Sequence, residues 1–140
     1  MPTAQDTIEI LQGLSLFADL RRPQLEFVAH RFEEEWFAPG QRILREGFAG
    51  SSFFLVVEGE ALVSRGGKEL SRLSRGDFFG EMSILLESPP AADVVAVGPL
   101  RCLVLPGSEL QGFLESHPTV MFRMLKVVAG RLKSNLDWLS

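Results

Sequence analysis

Between Phe32 and Pro106 the chain is punctuated by glycine too often for helices. Pro39-Gly40, Gly47, Gly59, Gly66-Gly67, Gly76 and Gly98 separate short segments rich in aromatic and β-branched residues. Regular turn chemistry between many short strands predicts a sandwich or a barrel. Two segments are explicit. Ala61-Leu62-Val63-Ser64 and Glu69-Leu70-Ser71-Arg72-Leu73 flank Gly66-Gly67, and adjacent glycines readily supply the positive φ of a hairpin turn. The run from Ser52 to Val57 is nearly all apolar, which predicts a strand covered on both faces or lying at the seam of two sheets.

Helices are expected on either side. In residues 1–31, Ile8, Leu11, Leu14, Leu16 and Phe17 recur at near-helical spacing. Asp19 is placed to cap the next helix, with Pro23 in its first turn and Leu25, Phe27 and Val28 as its buried side. Residues 107–140 read as C-terminal helices. Pro118 to Leu139 forms one long helix, with His117-Pro118 marking its start. No segment reads as a linker, a repeat or a low-complexity tract, so the 140 residues are expected to form one domain.

Composition excludes several classes. Hydrophobic residues make up 46% of the chain, which is incompatible with disorder. No apolar run approaches the ~18–20 residues that a membrane helix needs. Met1 to Asp6 lacks the basic start and apolar core of a signal peptide. The single cysteine, Cys102, excludes an internal disulfide and fits a reducing cytoplasm. A net charge of −4 opposes a nucleic-acid surface, since DNA affinity rests largely on Lys and Arg meeting phosphates.

Catalysis and metal binding are not expected. The sequence carries no Ser-His-Asp set, no Gly-rich mononucleotide loop and no paired carboxylates with a substrate cleft. His30, His117 and Cys102 have no metal-ligand spacing, so no zinc and no required cofactor is expected. Cys102, within Leu100 to Leu105, reads as a small core or edge residue. Glu33-Glu34-Glu35 reads as a solvated strand or loop.

The remaining signal is Phe78-Phe79-Gly80-Glu81-Met82-Ser83-Ile84-Leu85-Leu86, followed by Ser88-Pro89-Pro90-Ala91-Ala92-Asp93-Val94. It resembles the phosphate-binding cassette of a cyclic nucleotide-binding domain, the sensor fold of the catabolite activator protein family. Gly47 followed by Phe53 to Glu60 resembles that family's glycine-bracketed strand, and Arg75-Gly76-Asp77 resembles its entry to the cassette. The resemblance implies a mainly β fold with flanking helices. Its parts are short N-terminal helices, an antiparallel β-roll of jelly-roll type over residues 32–106, a cassette at 78–94 with its own helix, and the long C-terminal helix. Haem is bound by some relatives, but no Cys or His lies in this cassette.

The resemblance also implies a ligand, cyclic AMP or cyclic GMP or another small nucleotide-like anion. Its expected contacts are Gly80, Glu81, Met82, Ser83, Pro90, Ala91 and Ala92. In the family a Gly-Glu pair serves the ribose and a following Arg serves the cyclic phosphate. Here Gly80 and Glu81 are present, and Pro90 stands where the Arg is expected. A carboxylate is a good acceptor for a ribose hydroxyl, and Gly80 would let the backbone approach the sugar. Free N–H groups of a short helix after Gly80 would face the phosphate. Glu81 alternatively reads as a cap or as a salt-bridge partner.

Proline has neither charge nor N–H. A hydrogen bond to a charged group contributes about 1.5–3 kcal/mol, so its loss implies a ligand roughly ten- to hundredfold weaker. Ala91 offers no hydroxyl. In an alternating strand Asp93 shares a face with Ala91 and Val95, opposite Ala92, Val94 and Ala96, and points to solvent. Arg45, Arg65, Arg72 and Arg75 are available to replace the missing cation, though each also reads as a surface charge.

In the last helix Met121, Leu125, Val128, Leu132, Asn135 and Leu139 recur at alternating four- and three-residue steps. That seam predicts a parallel homodimer, with Val120, Met124 and Val127 widening the stripe toward the chain's own domain. In the resembling regulators this helix is both dimer seam and wall near the base, which implies base contacts by Asn135 and Trp138. Those regulators continue with a helix-turn-helix domain. This chain ends at Ser140, so it is expected to be a stand-alone sensor or a piece of something larger, without direct DNA binding. Two readings stand: a regulatory sensor with weak, altered or absent cyclic nucleotide binding, and a ligand-free dimerising interaction module.

Overall fold

The glycine-punctuated segments do form strands. The computed structural model describes residues 4–49 and 52–137. It begins with α1 (Ala4–Gln12), a 3₁₀ turn (Ser15–Phe17) and α2 (Arg22–Arg31). Six strands follow: β1 (Glu33–Phe37), β2 (Arg42–Leu44), β3 (Ser52–Glu58), β4 (Ala61–Arg65), β5 (Lys68–Leu73) and β6 (Phe78–Phe79). Then come α3 (Glu81–Leu86), β7 (Asp93–Ala96), β8 (Leu100–Pro106), α4 (Gly107–Ser116) and α5 (Pro118–Asp137).

The strands make two four-stranded sheets, in the orders β1-β8-β3-β6 and β2-β7-β4-β5. Every pairing is antiparallel. Gly66 and Gly67, at φ 59° and 80°, make the β4–β5 turn. Both central residues of such a turn need positive φ, and glycine takes it without steric penalty.

β3 shows why its sequence is apolar throughout. Phe53, Leu55 and Val57 face the helices, packing with Leu11, Phe17, Val28 and Phe113. Phe54 and Val56 face the space between the sheets, packing with Phe37, Phe79, Val94 and Cys102. Each buried large side chain stabilises the fold by about 1.5–3 kcal/mol relative to exposure. Phe54 and Phe79 stack with centroids 4.7 Å apart. Cys102 is fully buried, and desolvation, aided by Glu35, pushes its thiol up to about 12, so it is a core residue.

Some local expectations are corrected. Asp19 does not cap α2. That helix starts at Arg22, and Gln24 Oε1 accepts the Arg21 backbone N–H at 3.0 Å. Asp19 instead accepts two bonds from Arg123 of α5, at 2.6 and 3.2 Å, tying the N-terminal turn to the last helix. Phe27 is exposed rather than buried, with its ring 5.5 Å from that of His117. Glu33 to Glu35 form the start of strand β1 with Glu33 and Glu35 exposed as expected, while the half-buried Glu34 pairs with Arg101 at 3.0 Å, because the β1–β8 register brings the two strands alongside. His117 is buried and ends α4, its Nδ1 3.0 Å from the Phe113 carbonyl oxygen. Among the described residues no helix is long and apolar enough to cross a membrane.

Candidate functional site

β6 leads directly into α3 through Gly80, which adopts φ 92°. A Cβ at this position would overlap the Ser52 carbonyl oxygen and crowd Phe54. The sequence reading gave Gly80 a role toward a sugar. The structure supplies a nearer reason for glycine: the cassette turn is packed against the backbone just before Phe53. Positive φ is also strained for any residue with a Cβ.

Beside this turn lies a cavity of about 200 Å³. Gly80, Glu81, Met82, Ser83, Pro90, Ala91 and Ala92 of the cassette, the residues expected to contact a ligand, stand together in its wall. Leu44, Val63, Ser71, Leu73 and Val94 complete the wall from the opposing sheet. These last residues were not legible as site residues, because strands far apart in sequence bring them there. Pro90 is buried, and its carbonyl accepts the Gly47 N–H at 3.0 Å. Asp93 turns away from the cavity, where Oδ1 accepts the Glu46 N–H at 2.8 Å and Oδ2 lies 3.9 Å from Arg42.

A cation does reach this cavity, but none of the four considered. Arg131, from α5, donates to Glu81 Oε1 at 2.9 Å and to the Phe78 carbonyl at 2.8 Å. Its guanidinium carbon also lies 4.6 Å from the centroid of the Phe78 ring. Of the expected replacements, Arg65 pairs with Glu46 at 3.3 Å, and Arg72 with Glu69 at 2.8 Å. Arg45 lines a separate groove with Arg42 and Phe48, beyond Leu44. Arg75 extends toward Gly13. Arg131 is the only cationic residue in the cavity wall among the described residues.

Glu81 is 4% exposed. Burial raises its pKa above the ordinary 4.5, against the opposing pull of its own backbone N–H and of Arg131. Desolvation disfavours the charged form, and here it outweighs the neighbouring guanidinium. The salt-bridge role that the sequence left open for Glu81 is therefore filled from within the chain.

On α5, Val120 and Met124 are buried in the helical core, and Val128 packs partly against it. Leu125 and Leu132 are 60% and 58% exposed, and Met121 is also exposed. The expected seam thus divides, with Val128 turned toward the chain's own core. Asn135 lies on α5, but its side chain is outside the described residues, as is Trp138 altogether. No cluster of potential metal ligands occurs among the described residues.

Residues 34–117 match the family model described as the cyclic nucleotide-binding domain. A cGMP-dependent protein kinase of Toxoplasma gondii is 32% identical over 121 residues, covering 86% of this chain and 12% of the kinase. The cAMP-dependent protein kinase regulatory subunit of Hypocrea atroviridis is 32% identical over 104 residues, covering 74% of this chain and 22% of the subunit. The chain thus spans under a quarter of the length of these two relatives. Among solved structures, the catabolite activator protein of Thermus thermophilus superposes with a TM-score of 0.78 at 27% identity, over 89% of this chain and 62% of that one.

Proposed function

This chain belongs to the cyclic nucleotide-binding domain family, and from that premise we propose that it is a non-catalytic regulatory module with weakened cyclic nucleotide binding. The observation that carries this reading is the charge arrangement of the cassette cavity. Pro90 occupies the wall where the family pattern places a phosphate-binding cation, and Arg131, the one arginine of the cavity among the described residues, is held by Glu81 at 2.9 Å. A cyclic phosphate entering there would shed water without gaining a dedicated counter-charge. The Glu81–Arg131 pair is neutral overall, so it adds little net attraction for an anion.

Cyclic AMP and cyclic GMP are the ligand classes in question, because relatives are named for kinases that depend on them. The ribose would meet Glu81, and its hydroxyl would share that carboxylate with Arg131. A regulatory role in a reducing cytoplasm, without direct DNA contact, fits the lone buried Cys102 and the net charge of −4.

A second reading is favoured by α5. Its exposed Leu125 and Leu132 would pack on a second copy, with Val128 and Met121, which also reaches the groove beside α4, at the margin and Asn135 pairing across the two-fold axis. The module would then act as a dimerising unit whether or not the cavity is filled. Calorimetric titration of the wild-type chain with cyclic AMP and with cyclic GMP tests the first reading. Weak or undetectable heat supports it, and tight saturable binding of either nucleotide rejects it.

A further inference from the structure

The cassette helix presents a second surface that the cavity does not use. Glu81 and Ser83, in the first turn of α3, are buried, while Leu85 and Leu86, at its C-terminal end, are 57% and 65% exposed. This is a helix of six residues, so two large apolar side chains in water make up much of its outer face. Leu85 borders a groove of about 380 Å³ between α3, α4 and the start of α5. Its floor is apolar, formed by Ile84, Leu85, Leu114 and Met121. An apolar floor of this kind offers anchoring points for the apolar side chains of another molecule.

The rim identifies the molecule's character. Glu87 ends α3 in the left-handed conformation, at φ 50°, and stands at the groove's edge. Glu115 stands at the same groove and accepts a hydrogen bond from Gln111 at 3.0 Å. No Lys, Arg or His lines the groove among the described residues. Among the described residues neither Glu87 nor Glu115 has a cation partner there. An apolar floor with an uncompensated acidic rim matches an apolar helix face flanked by Lys or Arg. A second copy would fit poorly, because a two-fold pairing of the groove would set these glutamates against their own copies. An anionic bilayer would be repelled by the same charges.

We propose that this groove docks an amphipathic helical segment of a partner protein, held by apolar anchors on the Leu85–Met121 floor and by basic residues at Glu87 and Glu115. The site is separate from the cassette cavity, and the proposal stands whether or not that cavity holds a nucleotide. The test titrates the full chain with two short model peptides that share one leucine face, one carrying lysine and the other glutamate on the polar face. Nuclear magnetic resonance is the readout. The lysine peptide is expected to bind at least about tenfold tighter, with shifts centred on Leu85, Gln111, Leu114 and Met121. Leu85→Glu, which alters an exposed side chain, should abolish that response while the remaining spectrum is retained. Glu87→Lys with Glu115→Lys should reverse the preference. Glu33→Lys with Glu35→Lys, an equal change of net charge on distant β1, should preserve it. Equal binding of both peptides, shifts centred elsewhere, or loss of preference in the β1 variant would overturn the proposal. So would sedimentation showing self-association of the wild type that Leu85→Glu removes, since the occupant would then be a second copy.

Discussion

Arg131 and Glu81 stand fifty positions apart in the chain and 2.9 Å apart in space. The pair joins the last helix to the first residue of the cassette helix. With Asp19–Arg123, it fastens α5 at two places along its length. Because Glu81 is buried, the two halves of the pair are not equivalent in what their removal does.

Arg131→Met should destabilise the fold by about 1.5–2 kcal/mol, measured by urea denaturation. The lower part of the usual range applies because Arg131 is itself over a third exposed. Adding Glu81→Gln should recover most of that loss, since the second change removes the stranded carboxylate. Strictly additive losses in the double variant would show that the pair does not couple.

The raised pKa of Glu81 gives a signed dependence on pH. Between the unfolded value near 4.5 and the higher folded value, the folded state binds more protons than the unfolded state. Stability from this group is therefore greatest below the unfolded pKa and declines as pH rises through the folded one. Glu81→Gln should gain stability relative to wild type as pH rises across that window, then level off. A stability difference that is flat from pH 4 to pH 7 would contradict the assignment.

Gly80→Ala should cost at least about 2 kcal/mol, because it meets positive φ and the Ser52 backbone together. Gly66→Ala shares the positive φ but has nothing within 4 Å, so its loss should be about 1 kcal/mol. Comparable denaturation midpoints for the two variants would show that the cassette turn is not braced as described.

The turns and the doubly buried β3 were legible because their causes are local: paired glycines and an unbroken apolar run. The cassette wall contributed by residues 78–92 was legible from its motif. Arg131 was not, since its partners Phe78 and Glu81 lie far back in the chain. A signal did exist. Val120, Met124, Val128 and Arg131 follow one helical stripe, so the arginine continues a face whose earlier members turn inward. Gly80 was read toward a ligand because Ser52, the atom group that forbids its side chain, belongs to a distant strand. Asp19 looked like a cap because α2 was expected to begin earlier than Arg22.

The exposed strip of α5 should support a two-fold dimer. Sedimentation equilibrium of the wild type is expected to show dimer at high micromolar concentration, and Leu125→Lys with Leu132→Lys should yield monomer with unchanged circular dichroism. A wild type that remains monomeric throughout would remove the dimer from the account.

On the proposed reading, Pro90 withholds the cation a cyclic phosphate needs. The most direct measurement is the dissociation constant of cyclic AMP for wild type, Pro90→Arg, and Pro90→Arg with Glu81→Ala, under one buffer condition. Proline at 90 offers no N–H to the existing structure, and its carbonyl contact to Gly47 can be kept by arginine. Pro90→Arg is expected to bind at least about tenfold tighter than wild type, and adding Glu81→Ala to weaken it again. Tight binding by the wild type, or no gain on Pro90→Arg, would contradict that reading.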